Sequence, residues 1–566
     1  MPENSYDVVI SGAGPNGLLL AGELALAGIR PILLDQLPGP SDEPKANGLV
    51  GQVVRLLDMR GLYDESGAAP QPALGYMFSG LPLSFADMPD KVLYGKIISQ
   101  PKVARQLEKW VLGLGVDLRW GHRLTELTPH DGGVGITVDG PAGAYHLDTT
   151  YLVGADGGKS FVRKRLGIGF PGSTNTADIT RLAHVWLPDE LRTADGALDI
   201  PGFGRIEFGH NRFENGGVIY GELEPGRTLL ATKESGGESA SADAPMSIAE
   251  LRTSLRRILG VDVPIEAPRS PGPNALRRID NQNTRQAERY REGNVFLVGD
   301  AAHVHSAMGG PGLNLGMQDA ANLGWKLAAQ INGWAPAGLL DTYHTERHPA
   351  GLRVMMSSLA QSALFAPGAE VGALRELFGE LLALPGNAAH IARLMAGADI
   401  RYDTGDDHPL SGYLVPEFTV ETVTGPVRVA ELLRKARPIL LALDGHGFFD
   451  EVAAPWRDRV DLISATGPDA PATALLIRPD GYVAWATATA AQPAAVHLRT
   501  ALTRWFATPT PCEAAGVWGT PHRTAAHRRP VRTPRTSQHP RGRRRGGGRG
   551  GAGAGRAGRG GGGGGG

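Results

Sequence analysis

The 566-residue sequence is 42% hydrophobic and 20% charged, an ordinary globular composition that suggests about two to four domains. It has no apolar run of about 18 residues and no N-terminal signal-peptide pattern, so we expect a cytoplasmic protein without a membrane span. Its one cysteine, Cys512, excludes a disulfide framework or a cysteine-based metal site. The net charge of −1 divides into +11 over residues 513–566 (12 Arg, one Glu) and −12 over the rest (45 basic, 57 acidic).

The first 172 residues alternate short apolar runs with segments of helical spacing. Tyr6–Ile10 and Ile32–Leu34 are typical of buried strands, and Pro15–Gly28 between them is typical of a helix. Strands that alternate with helices predict a parallel sheet with crossover connections. A further helix is predicted by five residues that share one apolar face: Val103, Leu107, Trp110, Val111 and Leu114.

Residues 173–285 have a looser pattern, in which short apolar runs such as Ala183–Leu187 are separated by glycines. This pattern predicts mostly antiparallel β-structure. Over residues 286–405 the strand–helix pattern returns, with a strand at Val295–Val298 and a long helix over Leu315–Asn332. A parallel-sheet domain that is interrupted by a β domain and then resumed is the simplest explanation.

Residues 406–510 form another predicted α/β unit. Ile439–Leu443 and Val460–Ile463 are typical of buried strands. Two further apolar runs are joined by Arg478–Gly481, whose Pro-Asp-Gly supplies the chemistry of a turn. A helix ending near Trp505 closes the unit.

Residues 511–566 consist largely of Arg, Gly, Pro, Thr and His, and cannot bury enough apolar surface to fold. We therefore expect a disordered tail. An Arg/Gly-rich tail is also a candidate for nucleic-acid binding. Residues 541–566 contain 7 Arg and 16 Gly but no aromatic residue on which bases could stack, so we expect no nucleic-acid partner.

The strongest motif is Gly12-Ala13-Gly14-Pro15-Asn16-Gly17, which follows a predicted strand and opens a predicted helix. Gly12 permits a tight turn, Gly14 lets the backbone approach a pyrophosphate, and Gly17 allows the helix to pack closely on the strand. The amides and positive dipole at the helix N-terminus attract the phosphates. Asp35 ends the next strand, where it can accept hydrogen bonds from a ribose. A glycine-rich turn alone can be structural, but the ordered strand, helix and acidic residue favour dinucleotide binding.

A second glycine-rich segment runs from Gly154 to Arg163 and contains Asp156-Gly157. Its Gly158-Lys159-Ser160 resembles the end of a Walker A loop, but that motif needs another glycine where Val153 stands. Nucleotide hydrolysis is therefore not predicted. The structural alternative is a strand end and turn with solvated basic side chains.

The third segment, Gly299-Asp300-Ala301-Ala302-His303, directly follows a predicted strand. A carboxylate at the C-terminal end of a strand, beside a nucleotide crevice, is well placed to bind polyol hydroxyls. Further on, Gly309–Asn314 leads into a helix whose N-terminal amides and dipole can stabilise negative charge on a reduced cofactor ring. His303 and His305 could form half a metal site, but no Cys or carboxylate cluster accompanies them, so we expect structural histidines and no metal.

In order and spacing, the three motifs resemble those of the class A FAD-dependent aromatic hydroxylases, which have the para-hydroxybenzoate hydroxylase fold. The similarity extends over about residues 5–355 and includes Asn322–Leu327 and Leu340–Arg347. It implies an α/β FAD-binding domain of the Rossmann-like, glutathione-reductase type, made of residues 1–172 and 286–405.

The same resemblance implies that residues 173–285 are an inserted antiparallel β substrate domain. Residues 406–510 resemble the C-terminal thioredoxin-like α/β domain of the subgroup that contains phenol hydroxylases and polyketide hydroxylases. Here that domain has no Cys-x-x-Cys, so we expect it to be redox-inert and to brace the flavin domain or a subunit contact.

The resemblance assigns FAD contacts to individual positions. Gly12, Gly14 and Gly17, with Pro15 and Asn16 of the same loop, would hold the pyrophosphate. Asp35 would hold the adenosine ribose, and Asp300 the ribitol–phosphate part. The backbone at Gly312-Leu313-Asn314 would face the pyrimidine edge of the flavin. Gln100 matches a FAD-contacting glutamine of the family.

Two further assignments come from the same resemblance. Asp156-Gly157 matches a motif linked to both FAD and NADPH, with Arg163 as its basic member. Lys45 occupies a position, often near the flavin, where arginine is common, and Gln52 also stands where arginine is common. Lysine keeps the positive charge but loses the bidentate guanidinium fork.

The loop that precedes the long helix also departs from the family pattern. Ser306 and Ala307 replace a pair of prolines beside the flavin, and Pro311 replaces a usual Gln or Lys. Proline removes one N–H and fixes φ at about −65°, which could change the start of the helix. Because this loop helps to position substrate and oxygen, the variation bears on hydroxylation rather than on FAD binding.

The resemblance implies a monooxygenase with non-covalent FAD and with NADPH or NADH as co-substrate. Its other partners would be O₂ and a phenolic, polycyclic aromatic substrate of polyketide type, hydroxylated through a flavin C4a-hydroperoxide. The protein would exclude water and orient the ring, and no general base can be named. Two alternatives remain: an antibiotic-inactivating hydroxylase, and a flavin- or ligand-binding protein without productive turnover. We expect a monomer or a homodimer.

Overall fold

The computed structural model describes residues 5–509, except residues 87, 89–90, 225, 237–243, 270, 307, 309, 385 and 446. The predicted disordered tail and Ala307 lie outside the described residues. All described residues belong to one compact unit.

The first part of the described chain contains most of the central sheet and the helices that cover it. Its strands are β1 (Ser5–Ser11), β2 (Ile32–Asp35), β3 (Gly48–Val50), β4 (Gly75–Phe78), β5 (Leu81–Ser84), β6 (Gly95–Ile97), β7 (Asp117–Trp120), β8 (Arg123–His130), β9 (Gly133–Gly140) and β10 (Gly143–Gly154). Its helices are α1 (Pro15–Leu26), α2 (Gln52–Met59), α3 (Gln100–Gly113) and α4 (Phe161–Arg165).

The second part is mostly β-structure. Its strands are β11 (Gly172–Asn175), β12 (Asp178–Val185), β13 (Leu198–Ile200), β14 (Gly204–Ile206), β15 (Gly209–Phe213), β16 (Gly216–Glu224), β17 (Arg227–Ser235), β18 (Leu276–Ile279) and β19 (Gln282–Gln286), and its helix is α5 (Ile248–Leu259). The strands β15, β16, β17, β12 and β18 form one antiparallel sheet in that order. The expectation of antiparallel structure here is therefore confirmed.

The third part returns to the central sheet and then becomes helical. Its strands are β20 (Arg291–Glu292), β21 (Val295–Leu297) and β22 (His303–Val304), and its helices are α6 (Pro311–Ile331), α7 (Asp341–Phe365), α8 (Ala369–Leu382) and α9 (Asn387–Ala396). The fourth part contains β23 (Thr419–Thr422), β24 (Gly425–Arg428), β25 (Ile439–Ala442), β26 (Asp461–Ser464), β27 (Ala474–Ile477), β28 (Val483–Thr487), α10 (Val429–Leu432), α11 (Phe448–Ala453) and α12 (Gln492–Phe506).

The central sheet has the strand order β20-β21-β10-β1-β2-β7, with β8 and β9 attached through β10. The strands β21, β10, β1, β2 and β7 are parallel to one another. Because β21 comes after the antiparallel insertion and pairs with β10, the chain leaves this sheet and re-enters it, as predicted. Alternating strands and helices bring the carboxyl ends of β1, β10 and β21 to one edge, which is where ligands bind in open α/β sheets.

The apolar pattern explains most of these elements. In α3 the predicted face is buried at Val103, Leu107 and Val111, whereas Leu114 lies just beyond the helix and is 36% exposed. The long helix α6 begins at Pro311, four residues before its predicted start. No helix in the described ranges is long and apolar enough to cross a bilayer.

The fourth part is built on the sheet β26-β25-β27-β28, which packs against α6 and α2. Trp325 of α6 belongs to the same apolar cluster as Trp485 of β28 and Trp505 of α12. On the other face of the sheet, Met59 of α2 belongs to the same apolar cluster as Leu441 of β25. The predicted domain boundaries and the thioredoxin-like identity of this part remain predictions.

Candidate active site

The loop between β1 and α1 is shaped by two close backbone approaches. Gly12 has φ +112°, a conformation that side chains rarely adopt, and a Cβ there would overlap the carbonyl oxygen of Ala155. A Cβ on Gly17 would overlap the carbonyl oxygen of Gly12. A Cβ on Gly14 would meet nothing within 4 Å. The loop is therefore closed on its inner side and open at Gly14, where a pyrophosphate needs space beside the first amides of α1.

Asp35 is oriented toward this loop. Its carboxylate accepts hydrogen bonds from the backbone N–H groups of Ala13 at 2.7 Å and Leu37 at 2.8 Å. The side chain remains partly exposed, so it keeps lone pairs for a ligand hydroxyl. The position at the end of β2 is the one predicted for the ribose contact.

Asn16 joins the first and third motifs. Its amide lies where a Cβ on Gly299 or Gly316 would stand, so α1 touches both the turn after β21 and helix α6. Its Oδ1 is buried and has no partner among the described residues. Pro15 occupies the first turn of α1, where its missing N–H costs nothing. An unpartnered polar oxygen beside the open glycine loop suits a site that completes its hydrogen bonds with a ligand.

Asp300 lies in a 3-10 turn at the carboxyl end of β21 and is exposed, and its contact with FAD stays a prediction. The turn is held from behind by Asp319 of α6, whose carboxylate accepts the N–H of Gly299 at 3.3 Å. The same carboxylate lies 2.6 Å from Nε2 of His303. No group of three or more possible metal ligands occurs in the described chain.

Asp156 caps the short helix α4 by accepting the N–H groups of Phe161 at 2.7 Å and Val162 at 3.1 Å. Burial raises the pKa of Asp156, and these hydrogen bonds only partly offset that effect. Its Oδ1 is buried without a partner among the described residues, and Gly157 beside it has open space. The segment thus keeps one unsatisfied acceptor for a ligand.

Arg163 is not solvated, although the alternative of a strand end and turn with solvated basic side chains expects it to be. It is buried, donates to the carbonyl oxygens of Ala301 at 2.7 Å and Gly158 at 2.9 Å, and lies 3.7 Å from the ring centroid of Phe170. Lys159 is exposed, as that alternative expected. Arg163 therefore positions the turn that carries Asp300, and its direct contact with FAD or NAD(P)H stays a prediction.

Helix α6 begins in a way that accommodates the unusual proline. Gly310 caps the helix with φ +69°, and Pro311 takes the first helical position, where the N–H has no intrahelical partner in any case. The N–H groups of Gly312 and Leu313 then lie in the first turn, where no helical carbonyl can accept them. Asn314 fixes this turn, because its Oδ1 accepts the N–H of Val50 at 2.9 Å and its Nδ2 donates to Gly310 at 2.5 Å.

The remaining predicted residues surround β3. Lys45 is exposed and pairs with Glu43 at 3.4 Å. Gln52 opens α2, and its buried Oε1 has no partner among the described residues. Gln100 opens α3, partly buried, and its N–H donates to Ala46 at 2.8 Å. These placements allow the predicted contacts without testing them.

Sequence reasoning missed two residues that shape the site, Asp319 and Arg347. Arg347 of α7 donates to Asp319 at 2.7 Å and to the carbonyl of Leu315 in the first turn of α6 at 3.2 Å. Burial alone would raise the pKa of Asp319, but the interactions with Arg347 and His303 outweigh it and lower the pKa. The sequence signal that could have identified Asp319 is a carboxylate on the otherwise apolar side of α6.

Two family models match the chain: an FAD binding domain over residues 5–358, and the C-terminal part of aromatic-ring hydroxylases over residues 408–509. A 12-dehydrotetracycline 5-monooxygenase/anhydrotetracycline 6-monooxygenase of Streptomyces rimosus is 39% identical over 512 residues, covering 89% of this chain and 99% of the relative. A rifampicin monooxygenase of Streptomyces venezuelae is 34% identical over 486 residues, covering 85% and 95%. The solved structure of an anhydrotetracycline hydroxylase from Streptomyces rimosus has a TM-score of 0.78 at 38% identity, covering 89% of this chain and all of that one.

The chain belongs to the family of FAD-dependent aromatic-ring hydroxylases. It is a flavin-dependent monooxygenase with FAD as its cofactor and NAD(P)H as its co-substrate. The open space at Gly14 and the unpartnered oxygens of Asn16 and Asp156 fit FAD, since they lie where the glycine loop and the turn after β21 meet.

Proposed function

We propose that this monooxygenase hydroxylates a phenolic, polycyclic aromatic compound of polyketide type. The observation that carries the proposal is the convergence of the Gly12–Gly17 loop, Asp35, Asp300 and the first turn of α6 at one edge of the parallel sheet. The names of the relatives place their substrates among tetracycline intermediates and rifampicin. These compounds are large and multi-ringed.

The residues of the crevice supply binding and orientation. The amides of α1 beside Gly14 would hold the pyrophosphate, and the carboxylates of Asp35 and Asp300 would accept hydroxyl hydrogens from the two sugar parts of FAD. The N–H groups of Gly312 and Leu313, with the positive end of the α6 dipole, would stabilise negative charge on the pyrimidine edge. Bound FAD supplies the electron transfer from NAD(P)H and the activation of oxygen.

Helix α7 suggests where the aromatic substrate lies. Ser358 on this helix donates to the carbonyl of Ser306 at 3.2 Å and so holds the loop that precedes α6. At the end of the same helix, Arg212 of the antiparallel sheet donates to Ala366 at 2.7 Å and Gly368 at 2.8 Å. The substrate region is therefore bounded by the loop, by α7 and by the sheet.

Side chains on this side of the sheet suit a planar aromatic ligand. His210 of β15 packs edge-on against Phe365, with ring centroids 5.8 Å apart. Burial, with a smaller effect from Lys233, lowers the pKa of His210 to about 4, so the imidazole is neutral at pH 7. A Cβ on Gly217 would overlap the ring of Phe365. An aromatic wall that excludes water here would protect the oxygen-transfer step.

The proposal is tested by isolating the protein and identifying what it binds and consumes. We expect a yellow protein with one FAD per chain, released into the supernatant by acid precipitation. With a panel of phenolic polycycles, we expect substrate-stimulated NAD(P)H oxidation with little hydrogen peroxide. A colourless protein that takes up no added FAD would contradict the proposal. So would NAD(P)H oxidation that no aromatic compound stimulates.

A further inference from the structure

Six buried charged side chains form a cluster behind the FAD crevice, where α6, α7 and the turn between β27 and β28 meet. None is more than 7% exposed. The members of this buried charge cluster are Asp319, Lys326, Glu346, Arg347, Arg478 and Asp480. Three cations face three carboxylates, so the charges cancel within the cluster.

The first half of the cluster joins the C-terminal part of the chain to α7. Arg478 donates to both carboxylate oxygens of Glu346, at 2.7 and 2.9 Å, and to Asp480 at 2.5 Å. Lys326 of α6 donates to Glu346 at 2.7 Å. Burial alone would raise the pKa of Glu346, but the charges of Arg478 and Lys326 lower it to about 2. Glu346 is therefore charged at pH 7.

The second half of the cluster joins α7 to the FAD crevice. Arg347, next to Glu346, donates to Asp319 at 2.7 Å and to the carbonyl of Leu315 at 3.2 Å. Asp319 in turn accepts the N–H of Gly299, the residue before Asp300. Two predicted FAD contacts, the Asp300 turn and the first turn of α6, are thus held from behind by one guanidinium–carboxylate pair.

Tyr402 links the two halves from the connecting segment. Its hydroxyl accepts a hydrogen bond from Arg347 at 2.9 Å. Its ring stacks on Tyr482 of the C-terminal part, with centroids 4.2 Å apart, and lies 5.1 Å from the guanidinium carbon of Arg478. Movement of the C-terminal part would therefore displace the residue that orients Arg347.

The energetics indicate that this cluster does more than hold the C-terminal part against the rest of the chain. Taking six charges out of water costs several kcal/mol per ion, and a well-packed apolar core of the same volume is often as stable or more stable. A hydrophobic contact between α6 and the C-terminal part already exists at Trp325, Trp485 and Trp505. What the cluster adds is a fixed geometry, because hydrogen bonds between charged groups specify direction as well as distance.

We infer that the C-terminal part of the chain positions the FAD site through the buried charge cluster. Arg478 and Tyr402 fix Glu346 and Arg347 on α7, and Arg347 fixes Asp319. Asp319 then sets the Asp300 turn and the first turn of α6. The inference rests on the proposed FAD contacts of Asp300 and α6, and it makes Tyr402, Arg347 and Asp480 positioning residues rather than catalytic ones.

The test compares two changes in the cluster with one change outside it. Asp480→Asn removes one charge, and Tyr402→Phe removes one hydroxyl while keeping the stacked ring. The control is Asp58→Asn. Asp58 is buried to the same degree as Asp480. It accepts two hydrogen bonds from Arg428 of the C-terminal part, at 2.7 and 2.9 Å, but it does not belong to the buried charge cluster. For each full-length variant we would measure the FAD dissociation constant, the midpoint potential of bound FAD and thermal melting of the apo form.

Both cluster variants are expected to weaken FAD by about fivefold or more, the usual scale of coupling between distinct sites. They should also lower the midpoint potential, because the first turn of α6 no longer stabilises the reduced flavin. The control should bind FAD within twofold of the wild type, even where its apo form melts earlier.

Equal effects in all three variants, or no effect of the cluster variants on FAD, would overturn the inference. In both cases a wild type that binds FAD leaves the proposed function standing. A wild type that binds no FAD would contradict the proposed function and this inference together. Tyr402→Phe guards against misfolding, since it removes only a hydroxyl.

Discussion

The two sides of helix α6 differ in how completely their carboxylate and amide oxygens are satisfied. In front of the helix, Asn16, Gln52 and Asp156 each keep a buried oxygen without a partner among the described residues. Behind it, the charged groups of the buried charge cluster bond to one another. Unsatisfied groups are expensive unless a ligand completes them, whereas a satisfied network fixes the protein itself. The comparison therefore distinguishes the surface that binds the ligand from the buried charge cluster that holds this surface in place, although both are polar.

The largest expected effect distinguishes two glycines of the same loop. Gly17→Ala should destabilise the apo protein by about 1–3 kcal/mol or more, since the new methyl overlaps the carbonyl of Gly12. Gly14→Ala should leave apo stability unchanged, because its Cβ meets no protein atom, but should weaken FAD at least tenfold by filling the pyrophosphate space. Urea unfolding of the apo forms and FAD titration measure the two effects. Normal FAD binding by Gly14→Ala would show that the pyrophosphate does not lie against this loop.

Asp300→Ala should weaken FAD strongly while leaving the fold intact. A hydrogen bond to a charged group contributes roughly 1.5–3 kcal/mol, which corresponds to about tenfold to hundredfold in affinity per bond. Asp300 is exposed and β21 beneath it is apolar, so melting of the apo form should barely change. Asp199→Ala, which also removes an exposed carboxylate, is the matched control. Unchanged FAD affinity would make the segment structural.

From the buried charge cluster we predict that the stability of the protein depends on pH. Glu346 has its pKa lowered to about 2 in the folded chain, against about 4.3 when unfolded. A depressed carboxyl pKa stabilises the fold above the unfolded value, and this contribution is lost as the pH falls from about 4.3 to 2. Glu346→Gln should lower stability at pH 7 and flatten the acid limb, measured by urea unfolding of the apo form between pH 2.5 and 7. An acid limb as steep as in the wild type would show that Glu346 is not charged within the cluster.

The smallest expected effect is that of removing residues 513–566. The last described helix, α12, ends at Phe506, whose side chain is buried with the rest of the C-terminal core. A segment with a net charge of +11 acts on the acidic body only over about 8 Å at physiological salt. FAD affinity should change by less than twofold, and the NAD(P)H oxidation rate likewise. Loss of flavin or of activity on truncation would give this segment a function.

The sequence predicted the front of α6 better than the back. The glycine loop, Asp35 and the strands around them are encoded within short segments, where spacing is informative. The sequence pattern predicts too late a start for α6 because Gly and Pro usually interrupt helices, whereas in the structure Gly310 is the cap and Pro311 the first residue. Side-chain pairing across the fold has no local signal: Arg478 and Glu346 are 132 residues apart. For the same reason Arg163 could not be recognised as buried.

Isotope labelling tests the central claim most directly. The enzyme would be incubated with NAD(P)H, ¹⁸O₂ and the phenolic polycycle that most stimulates NAD(P)H oxidation, and the product would be analysed by mass spectrometry. We predict a product that carries one ¹⁸O atom, formed in nearly equal amount to the NAD(P)H consumed. A product without ¹⁸O, or hydrogen peroxide as the sole fate of the oxygen, would contradict the assignment of this chain as a hydroxylase of such compounds.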